Sequence, residues 1–87
     1  MVTQFYIIEI KRLHDGSLEH EVSWAYDEDP MAARFKGEAA FYTKVAGAAL
    51  SDTDTHAVSL LAQEGQLIDR KCYHHVIDEQ PVAAEGE

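Results

Sequence analysis

From Gln4 to Leu13 the chain reads QFYIIEIKRL, a β-branched and aromatic run that predicts a strand. His14-Asp15-Gly16-Ser17 interrupts it, and Asp-Gly between two apolar runs predicts a tight hairpin turn. The second strand is expected from Leu18 to Tyr26. A two-residue turn at Asp15 and Gly16 opposes Leu13 to Leu18, Arg12 to Glu19, Ile7 to Trp24 and Phe5 to Tyr26. That register pairs opposite charges and sets large apolar groups side by side. It puts Phe5, Ile7, Leu13, Leu18, Val22, Trp24 and Tyr26 on one face. Tyr6, Ile8 and Ile10 then share the other face with Ala25, Ser23 and Glu21. Both faces of the first strand are apolar, so one helix cannot cover both.

The most strongly marked stretch is Asp29 to Leu50, DPMAARFKGEAAFYTKVAGAAL. Asp29 suits the N-cap, where its carboxylate meets free amides, and Pro30 suits the first helical position. Asp27, Glu28 and Asp29 place negative charge at the positive end of the helix dipole. At about 100° per residue, Met31, Phe35, Ala39, Tyr42, Ala46 and Ala49 fall on one side. Ala32, Val45 and Leu50 flank this stripe, which is the expected core face. The opposite side carries a row of small residues, Ala33, Gly37, Ala40 and Gly47, with Phe41 beside it and Lys36 and Lys44 among them. Such a row is either an exposed alanine-rich face or a seam that lets a second helix approach closely.

After a polar loop at Ser51-Asp52-Thr53-Asp54, Thr55 to Gln63 predicts a third strand. Glu64-Gly65 predicts a turn of two or three residues, and Gln66 to His75 a fourth strand. The expected fold is α+β, of order ββαββ: two hairpins forming a four-stranded antiparallel sheet, with one central helix packed on one face. Residues 1–75 make a single domain. Residues 76–87 hold four acids and little apolar surface, and predict a flexible acidic C-terminal tail.

With 87 residues and 46% hydrophobic content, the chain suits one small folded domain. Net charge is −9, unevenly spread: −5 over residues 1–29, +2 over the helix, −2 over 51–75 and −4 over the tail. This balance opposes direct nucleic-acid or anionic-membrane binding, which needs clustered Lys and Arg. No apolar run reaches the roughly 18 residues of a membrane span. MVTQFYIIEIKRL lacks a signal peptide's basic opening, and the single cysteine fits a reducing compartment. Cytoplasmic location is the expectation.

Candidate chemistry is sparse. Cys72, His74 and His56 are the metal-ligand candidates, if His56 lies across the second hairpin from the other two. Without a CxxC or HxxxH spacing, however, no metal or cofactor is expected. Asp52 and Asp54 form a two-carboxylate loop without the glycine turn and distal glutamate of a calcium loop. No nucleophile motif, phosphate-cradling loop or dinucleotide fingerprint occurs.

The surplus of apolar surface is the most informative feature. It leads to the expectation of a small non-enzymatic interaction or assembly protein, self-associating as a homodimer. Its contact surface would draw on Phe5, Ile7, Trp24 and Tyr26 of the hairpin, or on Ala33, Gly37, Ala40 and Phe41 of the helix. The alternative is an acidic decoy or inhibitor that docks a basic or nucleic-acid-binding protein. A metal or redox protein built on Cys72 and the histidines is the third reading.

Overall fold

The computed structural model describes residues 2–75, so the acidic tail expected at 76–87 lies outside the described residues. Strands β1 (Thr3–Arg12) and β2 (Leu18–Asp27), helix α1 (Pro30–Ala49) and strands β3 (Thr55–Leu61) and β4 (Leu67–His74) follow in that order. The sheet has four strands in the order β2-β1-β3-β4, and every neighbouring pair is antiparallel. The two hairpins join through β1 and β3 at the centre, and α1 lies across one face. This is the expected ββαββ α+β architecture.

Both hairpins turn through three residues. In the first, the Leu13 amide donates to Ser17 O (2.9 Å) and the Gly16 amide to Leu13 O (2.9 Å). Gly16 takes φ +89°, the left-handed conformation that closes a three-residue loop and that glycine adopts without strain. The second repeats this with Ala62, Gln66 and Gly65, the last at φ +94°.

That extra loop residue corrects the expected register of the first hairpin. Arg12 opposes Leu18, Lys11 opposes Glu19, Tyr6 opposes Trp24 and Phe5 opposes Ala25. A one-residue slip exchanges the faces of one strand relative to the other. Val22, Trp24 and Tyr26 therefore join Tyr6, Ile8 and Ile10 on one face. Phe5, Ile7 and Glu9 share the other face with Ala25, Ser23 and Glu21. One face of the hairpin thus carries most of its large apolar side chains, while the other keeps Phe5 and Ile7.

The helix covers the face of Phe5 and Ile7, and it does so with its small residues. Asp29 caps it, accepting from the Met31 amide (3.3 Å), and Lys36 reaches back to Asp27 (2.8 Å). The helical residues buried against the sheet are Ala33, Gly37, Phe41 and Ala48. The expected core stripe is instead turned outward: Phe35 is 59% exposed, while Phe41 is fully buried. Met31 and Tyr42 are exposed beside Phe35. The inversion follows from where the volume lies. Phe5, Ile7, Val58 and Leu60 rise from the sheet and fill the core, so the helix must present a low surface. At Gly37 a Cβ would stand 3.1 Å from Phe5 Cβ and 3.5 Å from Leu60 Cδ1. Ala33, Gly37 and Phe41 are thus taken up by the chain's own sheet and form no free seam.

Gly47 differs: it is exposed, and a Cβ there would meet nothing within 4 Å. Gly47→Ala is expected to raise stability by about 0.5–1 kcal/mol through helix propensity and reduced unfolded-state freedom. A urea-melt midpoint moving upward with an unchanged slope would show it.

Candidate functional site

Strand register organises the face opposite the helix into rows. Leu18, Arg12, Thr55 and His74 form the first, and His20, Ile10, Ala57 and Cys72 the second. Val22, Ile8, Ser59 and Arg70 make the third, then Trp24, Tyr6, Leu61 and Leu67, with Tyr26 and Gln4 beyond. Ile10, Val22, Trp24, Tyr26, Leu18 and Leu67 are all largely exposed, Trp24 at 57%. No carboxylate stands in any row, although the chain has 16 acids in all. The charges here are Arg12 and Arg70, and neither has a carboxylate partner among the described residues. A depression of about 460 Å³ lies on this face, lined by Ile10, Arg12, Leu18, Thr55, Ala57, Arg70, Cys72 and His74.

The expected contact residues separate accordingly. Trp24 and Tyr26 stand on the open face, whereas Phe5 and Ile7 are buried beneath the helix together with Ala33, Gly37 and Phe41, and Ala40 packs against that core. Tyr6, Ile8, Ile10 and Val22 belong to the open surface. The missing signal was the register, since the same residues divide differently after a slip of one.

Under the helix lies a polar cluster. Glu9 (5% exposed) and His56 (4%) are buried side by side, with His56 Nε2 donating to Glu9 Oε1 at 2.8 Å. Lys44 Nζ meets the other carboxylate oxygen at 3.0 Å. His56 Nδ1 faces Ser51 Oγ at 2.9 Å, and Ser51 Oγ stands 3.0 Å from Thr53 Oγ1 and 3.1 Å from Ala48 O. Burial works to raise the Glu9 pKa, but the hydrogen bonds from His56 and Lys44 outweigh it and hold the carboxyl below its ordinary value. The Glu9 bond raises the Lys44 pKa in turn.

A serine, a histidine and a glutamate in hydrogen-bonded sequence invite comparison with a catalytic triad. The surroundings oppose that chemistry. Ser51 follows the C-terminal end of α1, where free carbonyls present negative charge to any developing oxyanion, and its hydroxyl faces one of them. The cluster ties the α1–β3 loop to the sheet. Its signal in the sequence is Glu9 on the strand face of Phe5 and Ile7, with Lys44 on the helix side that faces it.

Two other histidines, His14 and His75, tie down the same loop. His14 reaches Asp52 (3.1 Å) and Asp54, which together raise its pKa through hydrogen bonds. His75 contacts the carbonyls of Thr53 and Ala49 at 3.2 and 3.1 Å. The two-carboxylate loop is therefore engaged by an imidazole. Cys72 and His74 do share a face, with Sγ and Nε2 3.7 Å apart, but His56 opposes Tyr73 and turns under the helix. The expectation that His56 lies with them is corrected. Among the described residues no three His, Cys, Asp or Glu side chains gather as metal ligands, and no helix is long and apolar enough to cross a membrane.

Comparison with protein-family models, with curated proteins and with solved structures finds no match to this chain.

Proposed function

We propose that the protein is a small non-enzymatic interaction protein of the cytoplasm that self-associates, a second copy covering the open sheet face. The observation that carries this reading is the contiguous patch of Tyr6, Ile8, Ile10, Val22, Trp24 and Tyr26, free of carboxylates on a chain of net charge −9. Soluble monomers seldom expose apolar patches beyond a few hundred Å². Four strands of 7 to 10 residues span roughly 30 Å by 19 Å, so side-chain relief brings the face near the ~800 Å² per partner of a standard interface. Two-fold closure is the usual way for one patch to cover itself.

The acidic-decoy alternative has less support, because the acids are dispersed. Asp27, Glu28 and Asp29 precede the helix, Asp52 and Asp54 hold His14, and Glu9 is buried.

Light scattering over a hundredfold concentration range tests the reading. The wild-type chain is expected to have the mass of a dimer at the upper end, and Trp24→Glu that of a folded monomer. Phe35→Glu, on the outer side of the helix, is expected to leave the dimer intact. A Trp24→Glu protein that stays dimeric would overturn the sheet-face assignment.

A further inference from the structure

We propose that the depression on the open sheet face binds a small organic dianion. Arg12 and Arg70 each hold one acidic end, and Ala57 lies beneath the apolar body. The site belongs to one copy of the chain and does not depend on self-association.

Strand register sets its geometry. Arg12 stands in row one on β1 and Arg70 in row three on β4, with β3 between them. Two rows along the strands and two strand spacings across them separate the pair by about 14 Å and about 10 Å. Ala57, in row two on β3, falls at the middle of that diagonal. Its side chain is a single methyl group, so the floor between the two arginines stays low. Ile10 and Leu18 bound one side of the recess, and Cys72 and His74 the other. Both arginines line it, from opposite corners.

The electrostatics name the class of ligand. Arg34 is matched by Glu38, Lys36 by Asp27 and Lys44 by Glu9. Arg12 and Arg70 have no carboxylate partner among the described residues, and Asp54, next to Thr55 of the recess, is held by His14. A guanidinium fork grips a carboxylate through two parallel hydrogen bonds, so two forks at one recess favour a ligand with two acids. No carboxylate stands in the rows of this face to compete. Charges more than about 8 Å away are largely screened at physiological salt, which limits repulsion by acids elsewhere. The volume, about 460 Å³, falls among small-ligand sites of roughly 300–1,000 Å³, which combine apolar walls with a few convergent polar groups.

Equilibrium dialysis with terephthalate and with benzoate tests the assignment. It is run on the wild-type chain and on Trp24→Glu, a position outside the depression whose change frees the face where a second copy covers it. Terephthalate is expected to bind about tenfold more tightly than benzoate, the worth of one further charge-assisted contact at an exposed site. Arg12→Gln and Arg70→Gln, both at exposed positions, are each expected to bring terephthalate down to the affinity of benzoate. Ala57→Leu keeps both charges but fills the floor, and is expected to abolish binding of both acids. Equal affinity for the two acids, or binding that survives Ala57→Leu, would mean general attraction to exposed arginines and overturn the site. Absence of binding in both the wild type and Trp24→Glu would overturn it as well.

Discussion

Replacing Phe41 with alanine is expected to cost about 3–5 kcal/mol of folding free energy, whereas Phe35→Ala costs less than about 1 kcal/mol. The two residues lie on the same helix, six positions apart, and their roles are the reverse of what the large-residue stripe implies. Phe41 is fully buried and is the one large helical side chain in the core with Ile7, Val58 and Leu60. Truncating it leaves a cavity that the small residues around it, Ala33 and Ala48, cannot close. Phe35 faces outward and loses little apolar contact within the chain. Urea melts of the two variants, at one protein concentration low enough to keep the chain monomeric, give both numbers. Equal losses, or a larger loss for Phe35→Ala, would mean that the helix packs the other way round.

Removing the Glu9 carboxylate is expected to cost about 2–4 kcal/mol at neutral pH. Glu9→Leu leaves the buried His56 Nε2–H without its acceptor and Lys44 without its partner, and a buried polar group stripped of its partner carries its full desolvation penalty. Lys44 is partly exposed and can swing to solvent, which keeps the loss below that of a fully enclosed pair. Glu9→Leu combined with Lys44→Met is expected to recover part of the loss, since the leftover charge is then gone.

The pH dependence has a definite sign. The folded-state pKa of Glu9 lies below its ordinary 4.5, so its contribution is complete above that value and fades as pH falls through the folded pKa. Lys44 is raised above its ordinary 10.5, so its contribution is complete below 10.5 and fades as pH rises through the folded pKa. Wild type and Glu9→Leu should therefore differ most in the broad neutral range and converge in acid. A stability gap that stayed constant down to pH 2 would show that the carboxylate charge is not what the cluster uses.

How much of this was legible in the sequence depended on how local the deciding force is. Asp29, Pro30 and the run of strong helix formers place α1 because capping and propensity act within a few residues. The four strands and their antiparallel pairing follow from β-branched runs joined by short glycine turns. The register of the first hairpin did not follow, since Asp-Gly fits both a two-residue and a three-residue loop. The left-handed Gly16 and the Leu13–Ser17 bond settled it, and with it the company that Trp24 and Tyr26 keep.

The candidate site shows the same division. That hydrophobic surface exceeds what one helix can cover was readable from Phe5, Tyr6, Ile7, Ile8 and Ile10 alone, because alternation on a strand sends neighbours to opposite faces. Which residues remain uncovered was not readable. The sequence by itself determined the elements, their order and the surplus of apolar side chains, all consequences of backbone conformation and period. The tertiary structure alone decided that the helix turns Ala33 and Gly37 inward and Phe35 outward. It alone seated Glu9 against His56 and Lys44, and left the Trp24 face bare of both helix and carboxylate. Those outcomes depend on how volumes fit between layers and which charges meet across them, and neither quantity exists until the layers come together.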